Sequence, residues 1–254
     1  MHKGETRIKI NILPAIVFMA ILIVWELIDY IFKIKEIILP NPHEIFYAIM
    51  NNFSLLIRNA YTTMLESVFG FIIGSLFGVL IAILFVYSKN SKKAIYPYAI
   101  ALKATPLYAL APLLVIWFGN GMMSKIVMSA MVAFFPVLVS AVKGFSSIEQ
   151  ESLDLFRSLS ASRWQIFIKL RLPNSLPYIF PALKIATALA VVGATIAEFT
   201  GASGGIGHLI VNSSYYLETS LMFAAIIMIS LGGILFFYLI EFIEKKAIFW
   251  QINE

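Results

Sequence analysis

The chain has 254 residues, of which 60% are hydrophobic and only 13% are charged. A soluble domain carries roughly 45–50% apolar and about 25% charged residues, so this composition excludes a soluble enzyme and a disordered scaffold. The lack of cysteine excludes a disulfide-linked secreted module, and the three histidines are too far apart in sequence to suggest a metal site. The net charge of +5 could suggest a nucleic-acid-binding protein, but the positions of the charged residues along the sequence argue against it. The sequence predicts an integral membrane protein.

Six segments are apolar enough to cross a bilayer, which takes about 20 residues for a core of about 30 Å. Their interiors lack the alternation of β-barrel strands. The predicted fold class is all-α and polytopic, with six transmembrane helices in a single domain over residues 1–254. The first span is expected to be an uncleaved anchor, since it is too long for a signal peptide. The predicted spans cover about residues 12–30, 61–87, 94–118, 125–142, 178–199 and 221–243.

The positive charges predict the orientation, because Lys and Arg concentrate in cytoplasmic loops. With the N-terminus inside, thirteen of the nineteen Lys and Arg residues fall in inside segments. Four fall outside, and two lie within spans. We therefore expect both termini to lie in the cytoplasm.

The stretch after the first span predicts a short helix on the outer side. Asn41 is expected to cap it, with Pro42 at its first position and Glu44 reaching back to the cap. The apolar residues that follow favour an amphipathic helix in the outer interface, and a simple connector is an equal alternative. These residues, at helical spacing, are Ile45, Phe46, Ile49, Phe53 and Leu56.

The longest inside segment, residues 143–177, is expected to form two short helices, and we call it the coupling loop. Pro173 and Pro177 are expected to end the second helix before the fifth span. An apolar stripe on the first helix favours either a partner protein or the lipid surface. The stripe consists of Leu153, Leu155, Phe156 and Leu159, of which the phenylalanine is the largest. The pairs Ser147 with Gln150 and Ser162 with Gln165 match capping boxes.

Within this loop, Asp154-Leu155-Phe156 is followed at fixed intervals by Ser160, Leu170 and Leu172-Pro173. These residues resemble the loop motif of bacterial ABC importer permeases, which reads E-A-A, three residues, G, nine residues and I-x-L-P. The spacing matches, whereas the first four residue types are substituted. Serine in the glycine place means that the turn forms without a positive φ or at some strain.

Further motifs resemble the nitrate/sulfonate/taurine branch of these permeases, and the resemblance covers about residues 39–243. One departure is Glu66, which stands where many relatives carry arginine. The matching stretches are Lys103-Ala104-Thr105-Pro106, Ala109-Leu110-Ala111-Pro112-Leu113, Trp117-Phe118-Gly119 with Lys125, Phe135-Pro136, Ser158-Leu159 with Ala161-Ser162-Arg163-Trp164, Leu176-Pro177, Ala197-Glu198 and Gly205-Ile206-Gly207.

The resemblance implies a permease subunit of an ATP-driven importer in the bacterial cell membrane. It would carry a small solute, either an anion such as a sulfonate or nitrate or a small heterocyclic vitamin precursor, delivered by an extracytoplasmic binding protein. It would act with a second permease copy and two cytoplasmic ATPase subunits, with no cofactor or catalytic residue of its own. The loop residues implied to couple to the ATPase are Asp154, Leu155, Phe156, Leu159, Ser160, Leu170, Leu172 and Pro173. The alternative is a self-sufficient ion-coupled carrier.

Four ionisable residues within the spans are candidates for the pathway or a gate, because charges are costly in a membrane. Lys103 and Lys184 lie near inner ends and have an alternative role, in which they reach the interface. Glu66 and Glu198 lie toward the outer side, where a salt bridge is plausible.

Two glycine-containing segments are assigned structural roles. Gly70, Gly74 and Gly78 form a small-xxx-small ladder, expected to pack helices within the subunit. The segment 201–205 matches a G-x-S-x-G pattern but lacks the strand-turn-helix context of a nucleophile, and we expect an outer loop.

Overall fold

A computed structural model of the protein describes residues 12–250, and the predicted cytoplasmic start, residues 1–11, lies outside the described residues. The described part is helical, as the apolar periodicity predicts. The helices are α1 (Leu13–Phe32), α2 (Pro42–Asn51), α3 (Phe53–Tyr87), α4 (Lys89–Ala104), α5 (Ala111–Phe118), α6 (Met122–Ser146), α7 (Gln150–Ser158), α8 (Arg163–Ile166), α9 (Leu172–Glu198), α10 (Ile206–Tyr215) and α11 (Thr219–Ala247).

Five helical stretches are long and apolar enough to cross a membrane, and each contains most or all of one predicted span. They are Leu13–Phe32, Phe53–Tyr87, Met122–Ser146, Arg163–Glu198 and Thr219–Ala247.

The predicted third span, residues 94–118, is wrong as a single helix. It is divided into α4, a 3₁₀ turn at Leu107–Leu110 and the short apolar helix α5. The break lies at Thr105 and Pro106, because a proline lacks the N–H that a continuing helix needs and disfavours helical backbone in the residue before it.

The helices α3, α6 and α9 pack against one another and form the centre of the bundle. The glycine ladder of α3 lies against α6, where a Cβ on Gly74 would overlap the backbone of Ala130 and one on Gly70 would overlap Ser129. The ladder therefore packs helices within the subunit, as predicted.

The remaining helices cover this centre from the side. α11 packs against α9, α10, α2 and α3, and α10 lies between α9 and α11. α1 has no buried residue and contacts α2. The predicted cap of α2 is present, since Glu44 Oε2 accepts a hydrogen bond from the Asn41 N–H at 2.8 Å.

In the coupling loop the prediction that Pro173 and Pro177 end a helix is wrong. α8 runs through a π-helical turn at Phe167–Arg171 directly into α9, with Pro173 in the first turn of α9 and Pro177 inside it. A π turn rearranges the backbone hydrogen bonds just before the first proline, so the chain stays helical. Of the two predicted capping boxes, Ser162 with Gln165 forms. The one at Ser147 does not, because Glu149 occupies the N-cap position of α7 without a side-chain cap and the Ser147 hydroxyl donates to the Gly144 carbonyl.

Candidate functional site

Three ionisable side chains are buried together at the end of the bundle that carries the 201–205 loop. Glu66 on α3 is 3% exposed, and Lys125 on α6 and Glu198 on α9 are each 1% exposed. Electrostatic interactions link all three side chains. We call these residues the charge cluster. Charged groups are buried in this way only when they are paired and hydrogen-bonded.

Glu198 is held by donors on both carboxylate oxygens. The Thr63 hydroxyl donates to Oε1 at 2.7 Å, and the Gly207 N–H donates to Oε2 at 2.5 Å. Gly207 lies in the first turn of α10, where free backbone N–H groups and the helix dipole stabilise a negative charge. A Cβ at Gly205 or Gly207 would overlap this carboxylate, and Gly205 has φ +100°. Glycine is therefore required for the approach.

The start of α10 is also bound to α3. The Gly205 N–H donates to Asn59 Oδ1 at 2.9 Å, and the Ile206 N–H donates to the Thr63 hydroxyl oxygen at 2.8 Å. Three consecutive N–H groups of α10 thus reach side chains of α3 and α9. This arrangement fixes α10 over the charge cluster.

Glu66 and Lys125 complete the cluster. The Glu66 carboxyl group lies close to that of Glu198 and interacts with it electrostatically. The Lys125 ammonium donates to the Asn120 carbonyl at 2.6 Å. Oε2 of Glu66 is buried without a hydrogen-bond partner.

A polar cavity of about 510 Å³ lies directly against the charge cluster. Both Glu66 and Lys125 line it, so the cluster forms one of its walls. The other polar lining residues are Arg58, Asn59, Thr62, Asn120, Ser203, His208 and Asn212.

A second cavity, of about 790 Å³, runs along α3, α6 and α9 and is lined almost wholly by apolar side chains. Its aromatic residues are Phe77, Phe134, Phe135 and Tyr178. Among residues 12–250 no group of three His, Asp or Glu side chains lies close enough to hold a metal ion.

The structure separates the four ionisable residues that the sequence singled out. Glu66 and Glu198 meet in the charge cluster. Lys184 pairs instead with Glu244 of α11 at 2.6 Å, so its ammonium is used within the subunit. The side chain of Lys103 lies outside the described part of the structure.

Lys125 was not among the ionisable residues predicted for this site, since it stands at the edge of the fourth predicted span. A signal was present, because Lys125 belongs to the stretch that resembles the permease branch. The burial of two carboxyl groups nearby was the missing information.

At the opposite end of α9 the coupling loop exposes apolar side chains. Leu155 is 59% exposed, Leu159 72% and Trp164 68%, whereas Phe156 is half-buried and Leu153 is buried against the bundle. Exposed apolar residues grouped on one loop mark an interaction surface.

The other matched loop residues shape this surface. Asp154 accepts hydrogen bonds from Gln150 and forms an exposed ion pair of 3.1 Å with Arg157. Ser160 has φ +56°, so the turn is reached in the left-handed region, the strained alternative named above.

The second half of the loop is anchored to α6. Leu170 lies in the π turn, and Leu172 and Pro173 form the first turn of α9. Arg171 Nη1 donates to the Phe145 carbonyl at 2.6 Å, and Asn174 Nδ2 donates to the Ser147 hydroxyl at 2.9 Å. Movement of the loop is therefore coupled to α6 and α9.

A bundle of span-length apolar helices is typical of a multi-pass membrane protein. Residues 74–249 match the model of the family described as "Binding-protein-dependent transport system inner membrane component". The chain belongs to this family and is a permease subunit of an ABC importer. Importers of this family work with an ATPase and a binding protein.

Similar proteins agree with this assignment. A probable ABC transporter permease of Haemophilus influenzae is 31% identical over 96% of this chain and 100% of its own. The formylaminopyrimidine transport permease ThiX of Halalkalibacterium halodurans is 29% identical over 94% of this chain and 95% of its own. Relatives named as permeases for aliphatic sulfonates, taurine and nitrate are 30–31% identical over 59–66% of this chain, in keeping with the predicted branch.

The fold is also found in a solved structure. A chain of an inward-facing MetNI methionine ABC transporter matches with a TM-score of 0.67 at 18% identity. The match covers 78% of this chain and 98% of that chain. It supports the helical permease fold.

Proposed function

We propose that this chain forms the translocation pathway as a homodimer and that each copy binds one cytoplasmic ATPase subunit through its coupling loop. The second permease copy completes the pathway, and a binding protein delivers the solute at the opposite end. ATP-driven closure of the ATPase pair moves the loops and switches the spans between inward-open and outward-open states. The chain contributes no catalytic residue and no cofactor.

The exposed apolar face of the coupling loop carries this proposal. Leu155, Leu159 and Trp164 present apolar surface beside Asp154 and Arg157, as expected for the core and rim of a protein interface. Leu170, Leu172 and Pro173 connect this surface to α9, while Ser160 sets the corner between the two helices.

The test is assembly and transport of the complete complex. Native mass measurement of the purified complex should give two permease and two ATPase copies, and vesicles containing it should transport only with ATP and the binding protein. A monomer that transports without ATP would reject the proposal in favour of the ion-coupled carrier.

We propose that both termini and the coupling loop lie in the cytoplasm, with the 201–205 loop on the other side. Because the chain has no cysteine, single cysteines report the sides directly. Ser147→Cys should react with an impermeant maleimide only in inside-out vesicles, and Ser203→Cys only in right-side-out vesicles. The reverse pattern would invert the topology.

We further propose that the solute is a small nitrogen heterocycle. The permease named for formylaminopyrimidine aligns over nearly the whole of both chains, and the large cavity is lined by aromatic and aliphatic side chains, which suit a ring better than an inorganic anion. Uptake of a labelled formylaminopyrimidine, measured against taurine and nitrate in cells that produce the whole importer, tests this choice. Faster uptake of either anion would overturn it.

A further inference from the structure

We infer that the π turn at Phe167–Arg171 transmits movement of the coupling loop to α6, with Arg171 as the positioning residue that holds the end of that helix. The inference rests on the proposed binding of the loop to an ATPase, and it adds the side chains through which that binding reaches the spans. Its basis is that both ends of the turn contact the same residue of α6, Phe145.

Arg171 binds a carbonyl that α6 leaves free. α6 ends at Ser146, and the last four carbonyls of a helix have no N–H partner within it. The Arg171 guanidinium, 26 residues further along the chain, donates from Nη1 to the Phe145 carbonyl at 2.6 Å. A positive charge at this end of a helix is also favoured by the helix dipole. The contact therefore holds the backbone of α6 and not only one of its side chains.

Phe167 contacts the same residue from the start of the turn. Its buried ring packs against that of Phe145, with ring centroids 5.6 Å apart, and against that of Tyr87 at the end of α3, 6.4 Å apart. π turns are rare in helices and are frequent at functional sites. This turn is held on α6 at both its ends, and its first residue also contacts α3.

The turn also reaches the exposed surface of the coupling loop. Trp164, which is 68% exposed, stacks on Phe167 with ring centroids 6.0 Å apart and an angle of 22° between the ring planes. A partner that displaces Trp164 therefore moves Phe167, and Phe167 in turn moves the end of α6. These packed side chains form a continuous connection from the loop surface to α6.

The nearby contacts between α6 and α9 do not involve Arg171. Asn174 Nδ2 donates to the Ser147 hydroxyl at 2.9 Å, and the two helices approach so closely that a Cβ on Gly144 would lie 3.0 Å from the backbone of Ser175. α9 continues directly from the π turn. Without the Arg171 guanidinium we therefore expect the bundle to stay assembled and α9 to follow the loop, while α6 follows only through its packing on α9.

The experiment measures movement of α6 through the reactivity of one cysteine. The chain has no cysteine, and Ser140 of α6 lines the apolar cavity of about 790 Å³, so Ser140→Cys is the parent of every variant. Labelling of the permease by N-ethylmaleimide is followed in the complete complex, in vesicles, with and without ATP and vanadate, which hold the ATPase pair closed. We expect the labelling rate of the parent to differ at least about threefold between the two conditions, because the change of state alters access to the cavity.

Arg171→Met removes the hydrogen bond and the charge. It should lose at least about half of this difference, with ATPase binding equal to that of the parent, because one of the two contacts from the turn to α6 is gone. Arg171→Lys keeps an N–H donor and the charge and should restore most of the difference. Lys169→Met is the matched control, since Lys169 is exposed in the same turn, and it should label like the parent. A role of Arg171 in stability alone would lower the unfolding temperature and leave the difference in labelling unchanged.

Phe167→Leu keeps the test decisive if Arg171→Met fails to assemble. It leaves an apolar side chain in the buried position and removes the ring contacts with Phe145 and Tyr87, so it should also reduce the difference. An unchanged difference in either assembled variant, or no difference in the parent complex, would overturn the inference. Failure of the parent permease to bind the ATPase would instead reject the proposed function.

Discussion

At one end of α9 the charged side chains are buried and engaged with backbone groups, whereas at the other end the apolar side chains are exposed. At the first end, the Glu198 carboxylate accepts a hydrogen bond from the Gly207 N–H at the start of α10. At the second end, the Leu159 side chain is exposed. A mutation at the first end should be strongly destabilising, because a buried charge is stable only with its partners in place. At the second end apolar side chains are exposed to water, and the ATPase proposed above would cover them.

The two ends contain two kinds of residue that look equally unusual in the sequence. Ionisable residues in a membrane span and apolar residues in a loop both lie where their side chains are usually unfavourable. In the charge cluster the ionisable side chains are largely satisfied within the chain, apart from one oxygen of Glu66, and the apolar side chains of the coupling loop remain exposed. We therefore expect mutations at the charge cluster to change stability and mutations on the coupling loop to change assembly.

The largest expected effect is at Lys125. Lys125→Met removes the positive charge that interacts electrostatically with the buried Glu198 carboxylate, and we expect the free energy of unfolding to fall by up to about 3–5 kcal/mol, the cost of breaking a directly paired buried charge. Denaturant titration of the purified permease measures it. The double variant with Glu198→Gln removes both charges and should recover much of the loss. An unstable double variant would show that the ammonium stabilises the fold through Asn120 alone.

The second effect is on assembly. Leu155→Ala combined with Leu159→Ala should weaken ATPase binding about thirtyfold, since truncation at an interface anchor costs roughly 2 kcal/mol and each 1.4 kcal/mol is a factor of ten. The permease itself should keep its stability.

Leu153→Ala is the matched control on the same helix. Leu153 is buried against the bundle, so its truncation should lower stability by about 2–5 kcal/mol and change ATPase affinity less. Equal effects of the two variants on affinity would mean that the exposed leucines do not touch the ATPase.

The two ends differ in how much of their structure the sequence predicts. The coupling loop is local in sequence, so its resemblance to the permease loop motif placed Asp154, Ser160 and Pro173 together by their spacing. Phe156, the largest apolar residue of the stripe, is half-buried. Periodicity does not predict this partial burial, which depends on the tertiary structure.

The charge cluster joins three helices that are far apart in the sequence, so the pairing of Glu66 with Glu198 and Lys125 was not predictable from spacing. The broken third span shows a related limit. Hydropathy detects an apolar stretch on both sides of Pro106. It does not detect the backbone hydrogen bond that the proline cannot make, which divides this stretch into two helices. Composition and periodicity predict spans well, and contacts between distant spans poorly.

A smaller effect is expected at the corner of the coupling loop. Ser160 adopts φ +56°, where a residue with a Cβ is strained by roughly 1–2 kcal/mol. Ser160→Gly should therefore raise stability by about 1 kcal/mol, less the entropy that glycine adds to the unfolded chain. Thermal unfolding of the permease checks this. Ser158→Gly, at the last residue of α7, is the control and should lower stability, because it removes the hydroxyl that donates to the Leu155 carbonyl.

The smallest effect is expected at Asp154, which tests whether charge or apolar contact dominates the loop. Its ion pair with Arg157 is exposed, and such pairs contribute about 0.2–1 kcal/mol. Asp154→Ala should therefore change the stability of the permease little. It should also weaken ATPase binding by less than the double leucine variant, because a solvent-exposed carboxylate at the rim of an interface loses little hydration energy. Pull-down titrations at low and high salt measure this. A loss of affinity as large as that of the leucines, reduced by salt, would place Asp154 in a direct ion pair with the ATPase and make charge the dominant contact of the coupling loop.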